Sequence, residues 1–390
     1  MAKVFLKRGR ANPLWHGHPW VYSGAIAREE GAYEGGDVVD VLDIDGRFIG
    51  RGFANGRSQI RVRMLTRRDE AVDRELLRSR LVEAKAARAR LGLPSERTNA
   101  YRLVNAEGDG LPGLVIDMYG DVAAVQFTAL GMKRLDETVF DLASEVTKAR
   151  AVVEVSAGGF AQIEGFGAAT RTVRGDEIQL AACRENGIAY EVDPLHGQKT
   201  GMFLDQRENR RRIAELSKGA RVLDVYTYAG GFALNALAGG AQSATCVDSS
   251  ARAIERASRH AELNRLGPLD AVEADAFRYL EAVRPRSYDL VVIDPPKFAR
   301  ARKDLDAALK GYERLNVLAM NACAAGALLA TCSCSQNVDQ ETFERVIGNA
   351  ALSAGRRVRV LDVASQGPDH PVPPAFPEGR YLKFVLCHVV

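Results

Sequence analysis

Two periodicities divide the chain. Up to residue 68, short runs such as DVVDVLD and QIRVRML alternate apolar and polar positions between glycine-rich turns, the period of half-buried strands. This pattern predicts a small β-barrel. The stretch DEAVDRELLRSRLVEAKAARARLG then takes a helical period, with Leu76, Leu77, Leu81 and Val82 on one face and Gly92 as its stop. YRLVNAEGDGLPGLVIDMYGDVAAVQF reads as strands joined by Gly and Pro turns, followed by a helix near 131–148 and the strand AVVEV. From about residue 190 the runs RVLDVY, SATCVD, YDLVVID, GALLATC and VRVLDV are continuously apolar and are separated by helical segments. Such strands imply a parallel sheet covered on both faces. A Pro-rich loop, SQGPDHPVPPAFPEG, precedes a last strand, YLKFVLCHVV. The chain therefore reads as α/β in three parts: a barrel at 1–68, an α+β middle domain at 69–185 and a Rossmann-like domain at 186–390.

Length agrees with that division, since 390 residues exceed one ordinary core. No run of about 18 apolar residues is present to cross a membrane, and MAKVFLKRGRANPLWHG lacks the apolar centre of a signal peptide. The expected place is the cytoplasm, where thiols stay reduced. The six cysteines are scattered without a CxxC pair, and no four-ligand metal site can be assembled from them, so no metal is expected. Net charge is only +3, but it is uneven. Residues 1–28 carry Lys3, Lys7, Arg8, Arg10 and Arg28 with no acid, and 47–68 carry seven arginines, Arg61 and Arg63 among them, again with no acid. Two acid-free segments so close together point to a phosphate backbone as partner, with Lys7, Arg8, Arg10, Arg61 and Arg63 as candidate contacts.

The first strand of the last domain runs into VLDVYTYAGGFALNAL: strand, acid, then Gly-Gly before a helix. Glycines there let the backbone approach a ligand at a helix N-terminus. The turn is neither GxGxxG nor a GKS/T loop, which disfavours a dinucleotide or ATP. Acids follow in order at strand ends: Asp224, Asp248 in CVDSS, Asp275 in VEADAF and Asp294 in VVIDPPKF. Any one of them alone reads as a helix cap. In sequence they line the edge where ligands bind, Asp248 suited to ribose hydroxyls and Asp275 with Ala276 to an adenine edge. They point to S-adenosylmethionine, with Tyr226, Gly230, Ser249, Asn264 and Pro295 completing the candidate set.

VLDVYTYAGGFAL, CVDSS, EADAF and VVIDPPKF resemble the ordered motifs of class I S-adenosylmethionine-dependent methyltransferases. YRLVNAEGDGLPGLVIDMYGD, GQKTGMFLDQRENR, DPPKFA and TCSCS together resemble the PUA-containing 5-methylcytosine methyltransferases of large-subunit ribosomal RNA, over essentially the whole chain. The resemblance implies that HPWVYSGAI belongs to a PUA-like RNA-binding barrel, and that Thr200, Gly201, Phe203, Asp205 and Arg207 lie near the cofactor. It further implies ribosomal RNA as partner and a homodimer.

C5 of a pyrimidine is a poor nucleophile, so its methylation uses a thiolate that adds to C6. N-methylation needs no cysteine and often places an aromatic after Asp/Asn-Pro-Pro, whereas here Lys297 follows Pro296 directly, with Phe298 next. Cys332 ends the strand after the DPP strand and is expected to be the nucleophile. By position TCS resembles the motif in which RNA C5-methyltransferases carry it. Cys334, two residues on and facing the same way, is the second candidate. Asp294 is assigned to the base edge and Lys297 to the base or a phosphate. The alternatives are N2-guanine or C5-uracil methylation of RNA, or a non-catalytic RNA-binding assembly factor.

Overall fold

A computed structural model describes residues 1–156, 158–298 and 304–390. The chain forms two compact units. The first comprises Met1–Arg184, Glu191–Leu204 and Pro368–Gly379. Its N-terminal part is a six-stranded sheet in the order Trp20–Tyr22, Ile60–Thr66, Phe48–Ala54, Val38–Leu42, Lys3–Leu6, Ile26–Glu30. Of the pairs in it, Lys3–Leu6 with Val38–Leu42 is parallel. The alternation read from the sequence holds: Val39 and Val41 face a core with Val4, Leu6, Ile49 and Val62.

The helix Arg74–Arg90 starts on Asp73, whose carboxylate accepts from the Leu76 N–H. Its buried stripe is Leu77, Leu81, Ala84 and Arg88, and Val82 points to solvent, so the expected apolar face is rotated. Arg88 can close that stripe because it pairs with both carboxylate oxygens of Asp109. Phe53 and Leu65 of the first sheet share a core with Leu77 and Leu81, which is why residues 1–184 form one unit. A five-stranded sheet follows, in the order Arg171–Gly175, Ala151–Glu154, Val122–Phe127, Leu114–Tyr119, Ala100–Asn105. The helix expected near 131–148 is two pieces, Leu130–Lys133 and Asp136–Thr147. The Pro-rich stretch is bound into this unit: Asp369 accepts from the Arg102 N–H, and Phe376 packs edge-on to Trp20 at 4.5 Å.

The second unit comprises Glu185–Tyr190, Asp205–Gly367 and Arg380–Val390. Its strands are β1 (Arg221–Val225), β2 (Ser243–Asp248), β3 (Leu269–Glu273), β4 (Tyr288–Ile293), β5 (Cys323–Ser333), β6 (Val358–Ala364) and β7 (Lys383–Val389). Its helices are α1 (Arg207–Leu216), α2 (Gly231–Ala238), α3 (Ala251–Asn264), α4 (Ala276–Ala282), α5 (Leu305–Ala322) and α6 (Gln340–Ser353). The sheet order is β3-β2-β1-β4-β5-β7-β6. Strands β1 to β5 pair in parallel, while β7 runs antiparallel to both β5 and β6. The expected parallel sheet thus has one reversed strand: no α-helix joins β6 to β7, and a parallel return needs such a crossover.

Both faces are covered. Leu223, Val225, Val291, Ile293 and Leu329 pack on α4, α5 and α6, and Val222, Leu290, Val292 and Cys332 pack on α1, α2 and α3. Strand order reverses between β1 and β4, the switch point where the C-terminal ends of parallel strands open a crevice. No helix among the described residues is long and apolar enough to cross a membrane.

Candidate active site

The crevice is built around the turn after β1. Tyr226, Tyr228 and Gly230 all have positive φ (64°, 52° and 82°), a conformation costly for the two tyrosines and held by hydrogen bonds. The N–H groups of Tyr226 and Thr227 donate to Val247 O, and that of Tyr228 to an Asp248 carboxylate oxygen at 3.0 Å. Gly230 is the residue before α2, and a Cβ there would lie 3.0 Å from the Ala257 Cβ.

Asp224 is wholly buried. Its Oδ2 accepts from Thr227 Oγ1 at 2.5 Å and from Ala233 N at 3.0 Å, and its Oδ1 is buried without a hydrogen-bond partner. Burial pushes its carboxyl up to about 6, against the hydrogen bonds from Thr227 and Ala233, which lower it. Asp248 holds the neighbouring strand end: its other oxygen accepts from Ser250 N at 3.0 Å, ahead of α3, and Ser249 beside it is exposed. Each carboxylate oxygen keeps acceptor capacity for a ligand hydroxyl. Asp275 caps α4 through the Arg278 N–H at 3.0 Å, leaving its carboxylate exposed, and Ala276 behind it is buried.

Asn264 does not belong to this edge. It ends α3, a 14-residue helix that starts beside Asp248 and runs back to the opposite end of the sheet, about 20 Å away at 1.5 Å per residue. Both functions of its amide bind the backbone N–H and C=O of Ala189, each at 2.8 Å. Its expected cofactor role is withdrawn.

Asp294 follows β4, where its N–H donates to Val225 O, and it accepts from Gln206 Nε2 at 3.0 Å. Gln206 is itself oriented by Asn209 Nδ2 at 2.6 Å. The sequence carries no signal for Gln206, since FLDQRENR shows only a charged helix start. Pro295 is buried, while Pro296 and Lys297 are exposed. Phe298 packs at a tilt against Tyr312 of α5, with ring centroids 4.7 Å apart. Asp205 accepts from Tyr381 OH at 2.6 Å, and Arg207 is buried with its Nε on Glu208 at 3.2 Å.

The two cysteines differ. Cys332 is wholly buried in the layer under α1 and α2; burial pushes its thiol well above the ordinary value, the Asp294 charge adds to the rise, and a hydrogen bond with Gln206 opposes it. Cys334 lies just past β5 and is only half-buried. Beside it Tyr312 OH bridges Ser333 Oγ (3.0 Å) and Ser335 Oγ (2.9 Å), pinning the strand exit from the opposite face.

Thr200, Gly201 and Phe203 belong to the first unit. Thr200 Oγ1 donates to Asp117 at 2.5 Å and lies 2.9 Å from Tyr119 OH, which accepts from Met202 N. A Cβ on Gly201 would meet Val192 at 2.4 Å, and Lys199 sits over the Phe203 ring at 4.2 Å. Also in that unit, Lys7 donates to Gly24 O, and Arg8 and Arg10 are exposed. Arg10 edges a cleft of about 340 Å³ walled by His18, Trp20 and Tyr22. Arg61 is half-buried. Arg63 is not a surface contact: it is 7% exposed, pairs with Glu107 and Glu164, and stacks on Trp20. Its expected RNA role is withdrawn, because its charge is consumed inside the fold.

A doubly covered sheet with this switch-point turn and ordered strand-end acids defines an S-adenosylmethionine-dependent methyltransferase, and residues 164–353 match the family model of that description, with 4–67 matching a PUA-like domain. The chain is 38% identical to ribosomal RNA large subunit methyltransferase I of Alteromonas mediterranea, over 100% of this chain and 99% of the relative. It is 37% identical to the protein of that name from Aeromonas salmonicida, over 97% of each. In fold it superimposes on a SAM-dependent methyltransferase of Streptococcus mutans with a TM-score of 0.86, at 22% identity and full coverage of both chains. The chain belongs to the ribosomal RNA large subunit methyltransferase I family.

The residues present fit the cofactor. The buried, unpartnered Oδ1 of Asp224, the glycine approach at Gly230 and the spare lone pairs of Asp248 are acceptors and space suited to an adenosine carrying an ammonium group. Asp224, Tyr226, Gly230, Asp248, Asp275 and Ala276 would hold it.

Proposed function

We propose that the chain methylates C5 of a cytosine in large-subunit ribosomal RNA through a covalent cysteine adduct. The names of its relatives support the RNA, and the second unit supports the chemistry. The single observation that carries the mechanism is a half-buried thiol, Cys334, at the same strand edge as Asp294. When bound, S-adenosylmethionine supplies an electrophilic methyl group. Cys334 adds as thiolate to C6, which makes C5 enamine-like. C5 would then bond to the methyl carbon as its bond to the sulfonium breaks and S-adenosylhomocysteine leaves, and loss of the C5 proton and of the thiolate restores the ring. Asp294, held by Gln206, serves the base edge, where its carboxylate can accept from the exocyclic amine of cytosine and fix the ring.

The roles of the two cysteines are exchanged relative to the expectation from position in the motif. Cys332 is fully buried against Gln206 and Asp294, and burial resists its ionisation, whereas Cys334 is half-buried and has access. Cys332 is a packing residue under this reading. The base must be flipped out or unpaired, because A-form RNA hides C5 in a deep, narrow groove. Lys7, Arg8 and Arg10 of the PUA-like domain, together with Lys297, serve the phosphates.

The test is methyl transfer from labelled cofactor to unmodified large-subunit ribosomal RNA, with identification of the product nucleoside. Wild type and Cys332→Ala should yield 5-methylcytosine, and Cys334→Ala should lose at least about 10³-fold in rate. Methylguanine formed equally by all three would overturn the reading, and 5-methyluracil would move it to uracil.

A further inference from the structure

Lys383 opens β7 and is 6% exposed, yet it makes no ion pair with a carboxylate among the described residues. A buried ammonium costs several kcal/mol unless an anion or hydrogen bonds compensate it. Its partner across the β5–β7 ladder is Ser333. Its Nζ donates to Ser335 O at 2.6 Å and to Tyr381 O at 2.8 Å. The residue between Ser333 and Ser335 is Cys334, so one lysine is tied to the backbone on both sides of that thiol. Two of its three donors are used, and an ammonium has a third.

Lys297 and Asp339 act on the amine, together with Cys334 itself, and Tyr312 and Cys332 sense the Cys334 charge. Asp339 is occupied in capping α6 through the Thr342 N–H. Burial brings the amine down to about 8, Cys334 opposes that shift and Lys297 adds to it.

We propose that Lys383 is a positioning residue for methyl transfer: its ammonium fixes the strand exit that presents Cys334 and holds that sulfur as thiolate. The inference rests on the reading of Cys334 as the nucleophile. The balance is simple: the S–H bond breaks, the electron pair stays on sulfur, and the proton leaves to water on the exposed side of the residue.

The test alkylates the full-length protein with iodoacetamide between about pH 6 and 10 and measures Cys334 modification by peptide mass spectrometry. Wild-type Cys334 should react with a midpoint below the ordinary thiol value of about 8.5. Lys383→Met should slow alkylation near neutral pH by about tenfold or more, and Lys383→Arg should stay within about threefold of wild type. Identical profiles for wild type and Lys383→Met would overturn the proposal. So would a wild-type midpoint at or above the ordinary value, which decides the matter even where the Met variant does not fold. Methyl transfer surviving in Cys334→Ala would remove the nucleophile reading instead, and the alkylation profile would still report on the lysine–thiol pair.

Discussion

Asp224 shows what this site asks of a single residue. A carboxylate with one oxygen satisfied and the other bare in a dry interior is a poor way to stabilise a fold. Its folded value, about 6, lies above the ordinary 3.8. The native state therefore binds the proton more tightly, and stability is fully present below the ordinary value and lost as pH rises through about 6. Keeping this carboxylate charged at neutral pH costs the fold about 3 kcal/mol. Asp224→Asn keeps an acceptor for Thr227 and Ala233 without the charge. Without cofactor, the variant should melt higher than wild type above pH 7 and no higher near pH 4, while binding S-adenosylhomocysteine at least tenfold more weakly. Thermal melts at the two pH values and calorimetric titration check this. Unchanged affinity would mean that the buried charge serves no ligand. The cysteines differ in the same respect: Cys332 is fully buried and Cys334 only half-buried.

At the scale of elements, the turn between β1 and α2 concentrates backbone strain, with left-handed residues at alternate positions from Tyr226 to Gly230. Gly230→Ala would add a Cβ against Ala257 and Leu234 at a φ that L-residues disfavour. Loss of about 1–2 kcal/mol of stability is expected. A drop in cofactor affinity larger than the shift in melting temperature explains is expected as well, since moving α2 displaces Ala233 from Asp224. Equal affinity in the variant would reduce the glycine to a packing role.

This element is legible in the sequence because it is local: an apolar run, an acid and two glycines lie within ten residues, and the strand-end acids Asp248, Asp275 and Asp294 repeat the arrangement. What is not legible depends on distant partners. Asn264 looks like a site residue until the length of α3 carries it to the far end of the sheet and Ala189 claims its amide. Lys383 looks like any strand residue until β7 turns antiparallel and sets it beside Ser333. Val82 looks buried because the helical period alone does not choose between adjacent faces, and the choice falls to the stripe ending at Arg88.

For the whole molecule the question is where its small positive charge acts. A net charge of +3 produces no strong overall field, so attraction to RNA must come from local clusters. The two acid-free segments point to a phosphate backbone as partner. The fold divides their charge. Arg51 is spent on Asp40 and Asp69, Arg63 on Glu107 and Glu164, and Arg67 on the carbonyls of Leu14 and His18. Arg8 and Arg10 remain exposed, Arg10 at the rim of the aromatic cleft. The two groups should therefore respond oppositely to substitution. Arg8→Ala with Arg10→Ala should weaken binding of a large-subunit ribosomal RNA fragment and flatten the plot of log affinity against log salt by about one per lost phosphate contact, with melting temperature unchanged. Arg63→Met should leave that slope intact but destabilise the fold by about 3 kcal/mol, because two buried carboxylates lose their cation. Titrations at three salt concentrations beside thermal melts separate the cases. If Arg63→Met flattened the slope and the Arg8/Arg10 variant did not, the RNA face would lie elsewhere than on this end of the PUA-like domain.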